Sequence, residues 1–128
     1  MKNNENNVKG LLQNAENSFM LDLDDRVALL NGLAFSLRPF PGFIGMSTIQ
    51  ALELDPKSGF PDRGCVVLTE TGDIKELELT LLPGPSTVGG VDQNNSLKDL
   101  DLSSEEKEWY VDRGIEVLTH ILRESRNL

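Results

Sequence analysis

Residues 65–82 have the sequence CVVLTETGDIKELELTLL, and this stretch decides the fold class. Strand-forming side chains fill Cys65 to Thr69, and apolar and polar side chains alternate from Ile74 to Leu82. Turn-forming residues separate the two runs. The pattern therefore predicts an antiparallel hairpin of two strands.

The turn of this hairpin predicts its register. Glycine comes first in a type II′ turn, so we expect a two-residue loop of Gly72 and Asp73. A three-residue loop would place Leu68 opposite Glu76, whereas the two-residue loop pairs charge with charge and apolar with apolar. The expected pairs are Glu70 with Lys75, Leu68 with Leu77, and Val66 with Leu79. We expect the other face of the second strand to meet water, with Glu76, Glu78 and Thr80 on it.

Two helices are predicted before the sheet. The first has apolar residues at helical spacing, namely Val8, Leu11, Leu12, Ala15 and Phe19. The second begins at a group of acidic residues, which stabilise the N-terminal end of a helix dipole: Asp22, Asp24 and Asp25. Its apolar face contains Val27, Leu30, Leu33, Ala34 and Leu37, and Pro39 ends it.

One more strand and a final helix complete the predicted fold. Thr48–Leu54 has the pattern of a strand, and residues 55–62 are rich in turn formers. Ser103 and Glu106 form a capping box, which marks the start of a helix. A narrow apolar seam follows, consisting of Val111, Ile115, Leu118 and Leu122. We therefore predict an α+β fold, with a small antiparallel sheet of three or more strands. The N-terminal helices and a C-terminal amphipathic helix would cover one face of the sheet.

The length of 128 residues fits one domain, which we expect to span residues 8–128. Residues 1–7 are polar, and we expect a disordered tail there. Residues 83–102 begin with prolines and glycines and continue as an acidic stretch. This segment is predicted to be a mobile acidic loop.

The charge balance limits the kinds of partner. The chain has 21 acidic and 12 basic residues, for a net charge of -9 at pH 7. Such a charge disfavours binding to nucleic-acid phosphates and to anionic membranes. The single cysteine cannot form an internal disulfide, and no stretch is apolar enough for a signal peptide or a membrane span. We therefore expect a cytoplasmic protein that binds neither nucleic acid nor membranes.

The residue types that most often carry covalent catalysis are scarce. Helical spacing places the single histidine, His120, on the solvent side of the last helix. Cys65 begins a strand, where cysteine usually acts as a small apolar side chain. The chain also has no zinc-ligand spacing and no phosphate-binding glycine motif. We therefore expect no enzyme activity, no catalytic residue and no cofactor.

Calcium binding is the alternative function that the sequence leaves open. Asp92, Asn94 and Ser96 resemble the first ligands of an EF-hand loop, but Leu97 and Ser103 occupy the positions that need glycine and glutamate. The EF-hand therefore fails. A different calcium site could use the carboxylates around residues 92–108, which are Asp92, Asp99, Asp101, Glu105, Glu106 and Glu108.

Binding to a protein partner is the function that the sequence favours. Phe40 and Phe43 lie in a proline-rich turn, and Trp109 lies near the start of the last helix. Aromatic side chains are frequent anchors of protein interfaces, so these three are the predicted partner-binding residues. We predict a small acidic regulatory protein that acts through a protein partner. A homodimer formed through a sheet edge or the last helix stays open.

Overall fold

The computed structural model describes residues 2–42, 50–54, 65–82 and 92–126. These residues form three α-helices, one 3₁₀ turn and a four-stranded antiparallel sheet, which confirms the predicted α+β class. In chain order the elements are α1 (Lys2–Glu16), the 3₁₀ turn (Ser18–Met20), α2 (Leu23–Ser36), β1 (Ala51–Glu53), β2 (Cys65–Thr69), β3 (Ile74–Leu82), β4 (Asp92–Asp99) and α3 (Ser104–Arg126).

The first helix differs from its prediction at both ends. It begins at Lys2, so residues 2–7 are helical where we expected a disordered tail. It ends at Glu16, and Phe19 therefore leaves the apolar stripe that the periodicity assigned to it. The rest of the stripe is as predicted, since Val8 and Leu12 are buried in the core.

Local capping fixes the starts of the other two helices, as the sequence predicts. Asp22 is the N-cap of α2, and its carboxylate accepts a hydrogen bond of 2.9 Å from the backbone N–H of Asp25. At the start of α3, the Glu106 N–H donates to Ser103 Oγ, and the Ser103 N–H donates to Glu106 Oε1, both at 3.2 Å. This reciprocal pair is the predicted capping box.

The register of the β2–β3 hairpin differs from the predicted one. Leu68 pairs with Ile74 rather than Leu77, and Val66 pairs with Glu76 rather than Leu79. The turn has three residues, 70–72, and so begins before the expected loop of Gly72 and Asp73. It closes with two backbone hydrogen bonds of 2.9 Å, from the Gly72 N–H to Thr69 O and from the Thr69 N–H to Asp73 O. Gly72 has a φ of 86°, the left-handed conformation that three-residue hairpin loops require.

The new register also exchanges the two faces of β3. A shift by an odd number of residues moves every side chain to the opposite side of the sheet. Glu76 therefore lies beside Val66 on the side covered by the helices, and the predicted water-facing position of Glu76 is wrong. Leu77 lies on the other side, where it packs with Ala51 and Val67. The side chains of residues 78–82 lie outside the described residues.

The sheet has the order β1-β2-β3-β4, and β4 replaces part of the predicted loop. Its eight residues pair with β3 along their whole length, so the prediction of a mobile loop is wrong for Asp92–Asp99. The side-chain pattern did not predict this strand because its residues are mostly polar, and the strand forms through backbone pairing with β3. Residues 55–62 and 83–91 lie outside the described residues, as do residues 48–49 of the predicted first strand, and its residues Ala51–Glu53 form β1.

The main core lies between the helices and the sheet. It joins α2 and α3 to β2, with Leu30, Leu33, Leu68 and Leu118 almost fully buried. Gly114 lets α3 approach closely, since a Cβ there would lie 2.9 Å from Leu30 Cδ1. In the described ranges, no helix is both long enough and apolar enough to cross a membrane.

Candidate functional site

The predicted calcium ligands do not converge in the structure. Asp92 and Asp99 lie at opposite ends of β4, which separates them by roughly 23 Å at about 3.3 Å per residue. Glu106 is buried in the capping box, and Glu108 binds Arg26 at 2.7 Å. Asp101 and Glu105 follow β4 in the linker and in the first turn of α3. Within the part of the chain that the structure describes, no three His, Cys, Asp or Glu residues gather as metal ligands.

Asp99 has a nearby cationic partner instead. Its carboxylate accepts a hydrogen bond of 2.7 Å from Lys75 Nζ on the neighbouring strand. This hydrogen bond and the attraction of the two charges lower the pKa of Asp99 and raise the pKa of Lys75. The pair is an exposed cross-strand contact, which fits a structural role.

The predicted partner-binding aromatics lie in different environments. Phe40 is buried in the main core, so its ring is not offered to a partner. Trp109 is half-buried on α3, and its ring meets that of Tyr110 edge to face with a centroid distance of 5.1 Å. Phe43 lies outside the described residues.

The two candidate catalytic side chains are on different elements. Cys65 begins β2 and packs with the cluster on the side of the sheet away from the helices. Its thiol lies 3.3 Å from Glu53 Oε2, and burial together with this carboxylate raises the pKa of Cys65 to about 11. His120 is exposed on α3, with Nε2 3.2 Å from Glu124 Oε1. The structure does not bring the thiol and the imidazole together.

The 3₁₀ turn between α1 and α2 exposes two large apolar side chains. Phe19 is 79% exposed and Met20 is 74% exposed, more than the other exposed hydrophobic residues of the described chain, Phe35 and Leu97. We call Phe19 and Met20 the apolar knob. Sequence reasoning missed it because Phe19 continues the helical spacing of α1. The signal that could have revealed it is the polar pair Asn17 and Ser18, where the helix ends.

The apolar knob is held in a defined conformation. The Met20 N–H donates to Asn17 O at 3.0 Å, and the Leu21 N–H donates to Ser18 O at 2.9 Å. The N-cap at Asp22 then fixes the start of α2 directly after the turn. A partner would therefore meet a turn whose backbone is already ordered.

A groove of about 440 Å³ lies between the end of α1 and the middle of α3, and it reaches the turn at Ser18, the residue before the knob. We call it the α1–α3 groove. Its apolar lining residues are Ala15, which is half-buried, and Ile115, which is only 4% exposed, and Ser18 of the turn belongs to its wall. Its ionisable side chains are three carboxylates, one guanidinium and an imidazole, from Glu16, Asp112, Glu116, Arg123 and His120. Acidic groups therefore outnumber cationic ones in the groove.

Ion pairs hold the walls of the α1–α3 groove in place. Arg123 on α3 binds Glu16 on α1 at 2.7 Å. Arg26 on α2 donates to both carboxylate oxygens of Asp112, at 2.8 and 3.0 Å, and also to Glu108. These hydrogen bonds and the two negative charges raise the pKa of Arg26, although partial burial opposes them. The network joins all three helices around the groove.

A second groove, of about 360 Å³, lies between the hairpin turn, α2 and the start of α3. Its surface includes Leu30 and Val111 as well as polar groups from Asn31, Asp73 and Lys107. No strongly exposed apolar residue borders it within the described ranges. The surface around the knob is therefore the stronger candidate site.

Comparisons with known proteins add no family to this picture: no protein-family model matches the chain, and no curated protein or solved structure matches it significantly.

Proposed function

We propose that this chain is a non-enzymatic binding protein, and that it engages a protein partner through the apolar knob and the α1–α3 groove. The exposure of Phe19 and Met20 is the observation that carries the proposal. Neighbouring apolar side chains that meet water are typical of interaction sites, and aromatic residues often contribute most of the binding energy. Methionine adapts its shape to a bound surface.

The placement of the other candidate residues supports a binding role. The thiol of Cys65 is half-buried and has a raised pKa, which disfavours a reactive thiolate. His120 is exposed on another element, so within the described ranges the thiol and the imidazole do not form the nucleophile–base pair of nucleophilic catalysis. We also propose a reducing compartment such as the cytoplasm, because the chain has one cysteine and can form no internal disulfide.

Site-specific photocrosslinking tests the proposal. A photoreactive phenylalanine analogue is placed at Phe19 in one sample and at Phe35 in a control, and each is irradiated in an extract of the source cells. We expect one protein to be crosslinked through position 19 but not through position 35. The purified partner should then bind the wild-type chain and bind the Phe19→Ala/Met20→Ala variant at least about tenfold more weakly.

The double variant should fold normally, because the two side chains it shortens are mostly exposed. Its circular dichroism spectrum and its urea midpoint provide that control. Equal crosslinking at both positions, or a partner that binds the folded double variant as tightly as the wild type, would rule out this surface as the binding site.

A further inference from the structure

We infer that the partner binds this surface with a cationic amphipathic helix; the inference rests on the proposed function of the same site. It specifies the charge and the secondary structure of the element that docks against the knob and the groove. Three observations carry it: the charges around the knob, the exposure of the groove carboxylates, and the backbone that the site presents.

The charges of the chain segment that carries the knob are all negative. The segment from Glu16 to Asp25 contains four acidic residues and no lysine or arginine. No ion pair to Asp24 or Asp25 forms among the residues that the structure describes. An apolar contact with an acidic surround selects a partner whose own apolar side chains are surrounded by lysine or arginine.

The carboxylates of the groove remain available to such a partner. The side chains of Glu16, Asp112 and Glu116 are 61%, 50% and 70% exposed, although each already contacts an arginine. A carboxylate can accept several hydrogen bonds at once, so these groups can bind further cations. Their existing pairs keep them in fixed positions, which lowers the entropic cost of binding.

The backbone of the site favours a helix over an extended peptide. A peptide that adds as a β-strand needs unpaired backbone N–H and C=O groups along an edge. The walls of the groove are α1 and α3, whose backbone groups are bonded within each helix apart from the end turns. Recognition must therefore use side chains, and one apolar face of a helix can cover both Phe19 and Met20.

Charge also disfavours the other occupants of an apolar surface. A second copy would bring its own net charge of -9 to a knob whose chain segment carries only acidic charges. Anionic lipid surfaces carry the same sign. A helix rich in lysine and arginine gains attraction from the same charges.

Fluorescence anisotropy with designed peptides tests the inference. The probe is a labelled peptide of about 18 residues, or five helical turns, with leucine on one face and lysine elsewhere. The two control peptides are a scrambled sequence of the same composition and an analogue with glutamate in place of lysine. We expect the amphipathic lysine peptide to bind at least about tenfold more tightly than either control, and to weaken as salt is added.

Variants locate the binding on the protein. We expect Phe19→Ala/Met20→Ala to lower the affinity for the lysine peptide about tenfold or more, and Asp24→Asn/Asp25→Asn to lower it several-fold. The matched control is Glu53→Gln/Glu70→Gln, which removes two exposed charges from β1 and the hairpin turn and should leave the affinity unchanged. Urea unfolding of each variant confirms that it is folded.

Several results would overturn the inference. Equal binding of the scrambled peptide would show only charge attraction, and equal binding by the folded Phe19→Ala/Met20→Ala variant would place the peptide elsewhere. If sedimentation equilibrium finds the wild type to be a dimer and this variant to be a monomer, the occupant of the surface is a second copy of the chain. If the wild type cosediments with phosphatidylcholine vesicles and the Phe19→Ala/Met20→Ala variant does not, the occupant of the surface is a membrane. If peptide binding fails while crosslinking through position 19 still finds its partner, the inference is wrong and the proposed function stands.

Discussion

One methyl group at Gly72 tests how the hairpin packs on the helices. A Cβ at this position would lie 2.5 Å from Asn31 Oδ1 and 2.7 Å from Asn31 Cα. The first atom belongs to a side chain, but the second belongs to the backbone of α2. The Gly72→Ala variant therefore has to move the hairpin turn away from the helix.

The expected loss of stability has two sources. The left-handed conformation of Gly72, with φ at 86°, disfavours alanine by about 1–2 kcal/mol. The contact with the backbone of α2 resembles overpacking of a core, which destabilises by about 1–3 kcal/mol. We therefore expect Gly72→Ala to lower the free energy of unfolding by about 2–5 kcal/mol, out of a typical total of about 5–15 kcal/mol.

Urea unfolding followed by circular dichroism measures this loss. For a small domain the slope is about 1–3 kcal/mol per molar urea, so the midpoint should fall by about 1 M or more. Gly10→Ala is the control, because nothing lies within 4 Å of a Cβ there and the residue is inside α1. It should gain up to about 1 kcal/mol. If Gly72→Ala unfolds within about 0.5 kcal/mol of the wild type, the turn does not dock on Asn31 as described.

Three further predictions concern a salt bridge, a thiol and a cap. Arg26→Met should lower the free energy of unfolding, measured in urea, by about 1–3 kcal/mol. The loss stays moderate because water can reach the half-exposed carboxylates of Glu108 and Asp112. A change below about 0.5 kcal/mol would contradict a structural role for Arg26. Because the pKa of Cys65 is raised from 9.0 to about 11, its thiol should react with a disulfide reagent at pH 8 roughly tenfold more slowly in the folded chain than in urea, since the smaller thiolate fraction is partly offset by the greater nucleophilicity of a thiolate with a higher pKa. The same shift implies stability that is full below pH 9 and falls as the pH rises through about 11, and Cys65→Ser should remove this part of the pH dependence; equal thiol rates in the two states would contradict it. Ser103→Ala should lower stability by about 1 kcal/mol through loss of the cap on α3, whereas the exposed Ser104→Ala should change it little; equal effects in a thermal melt would contradict the capping role.

The helix starts could be predicted because their causes are local. Asp22 and Ser103 cap backbone groups only three residues away, so a short stretch of sequence contains the whole interaction. The strands Cys65–Thr69 and Ile74–Leu82 were predictable for a similar reason, since their side-chain patterns are typical of sheets.

The hairpin register and β4 depend on distant residues. The charge pairs favoured a two-residue loop, but the observed turn places Gly72 against Asn31, forty-one positions earlier in the chain. Strand β4 has polar side chains and gains its structure from backbone pairing with β3. The contact with Asn31 lies outside any short window around the turn, and the partners of β4 lie 10 to 24 positions earlier, from Leu82 paired with Asp92 to Lys75 paired with Asp99.

The candidate site shows the same limit for exposure. Phe40 follows a proline and Phe19 continues an apolar stripe, so the sequence assigned the interface role to Phe40 and the core role to Phe19. The structure instead exposes Phe19 and buries Phe40, because α1 ends three residues before Phe19 while the chain after α2 carries Phe40 into the core. Burial depends on where the helix stops, and Asn17 and Ser18 are the only local sign of it.

The acidic residues divide into two groups with different physical roles. Asp22, Glu106 and Asp112 act within the fold, where they cap helices or bind Arg26. Asp24 and Asp25 also favour the N-terminus of α2, but the helix dipole contributes only about 0.3–1 kcal/mol for each exposed charge. Neutralising both should therefore change the free energy of unfolding little, whereas it should clearly lower the affinity for a cationic partner. If stability falls strongly and binding is unchanged, Asp24 and Asp25 act only on helix α2. In that case they do not select a cationic partner for the knob.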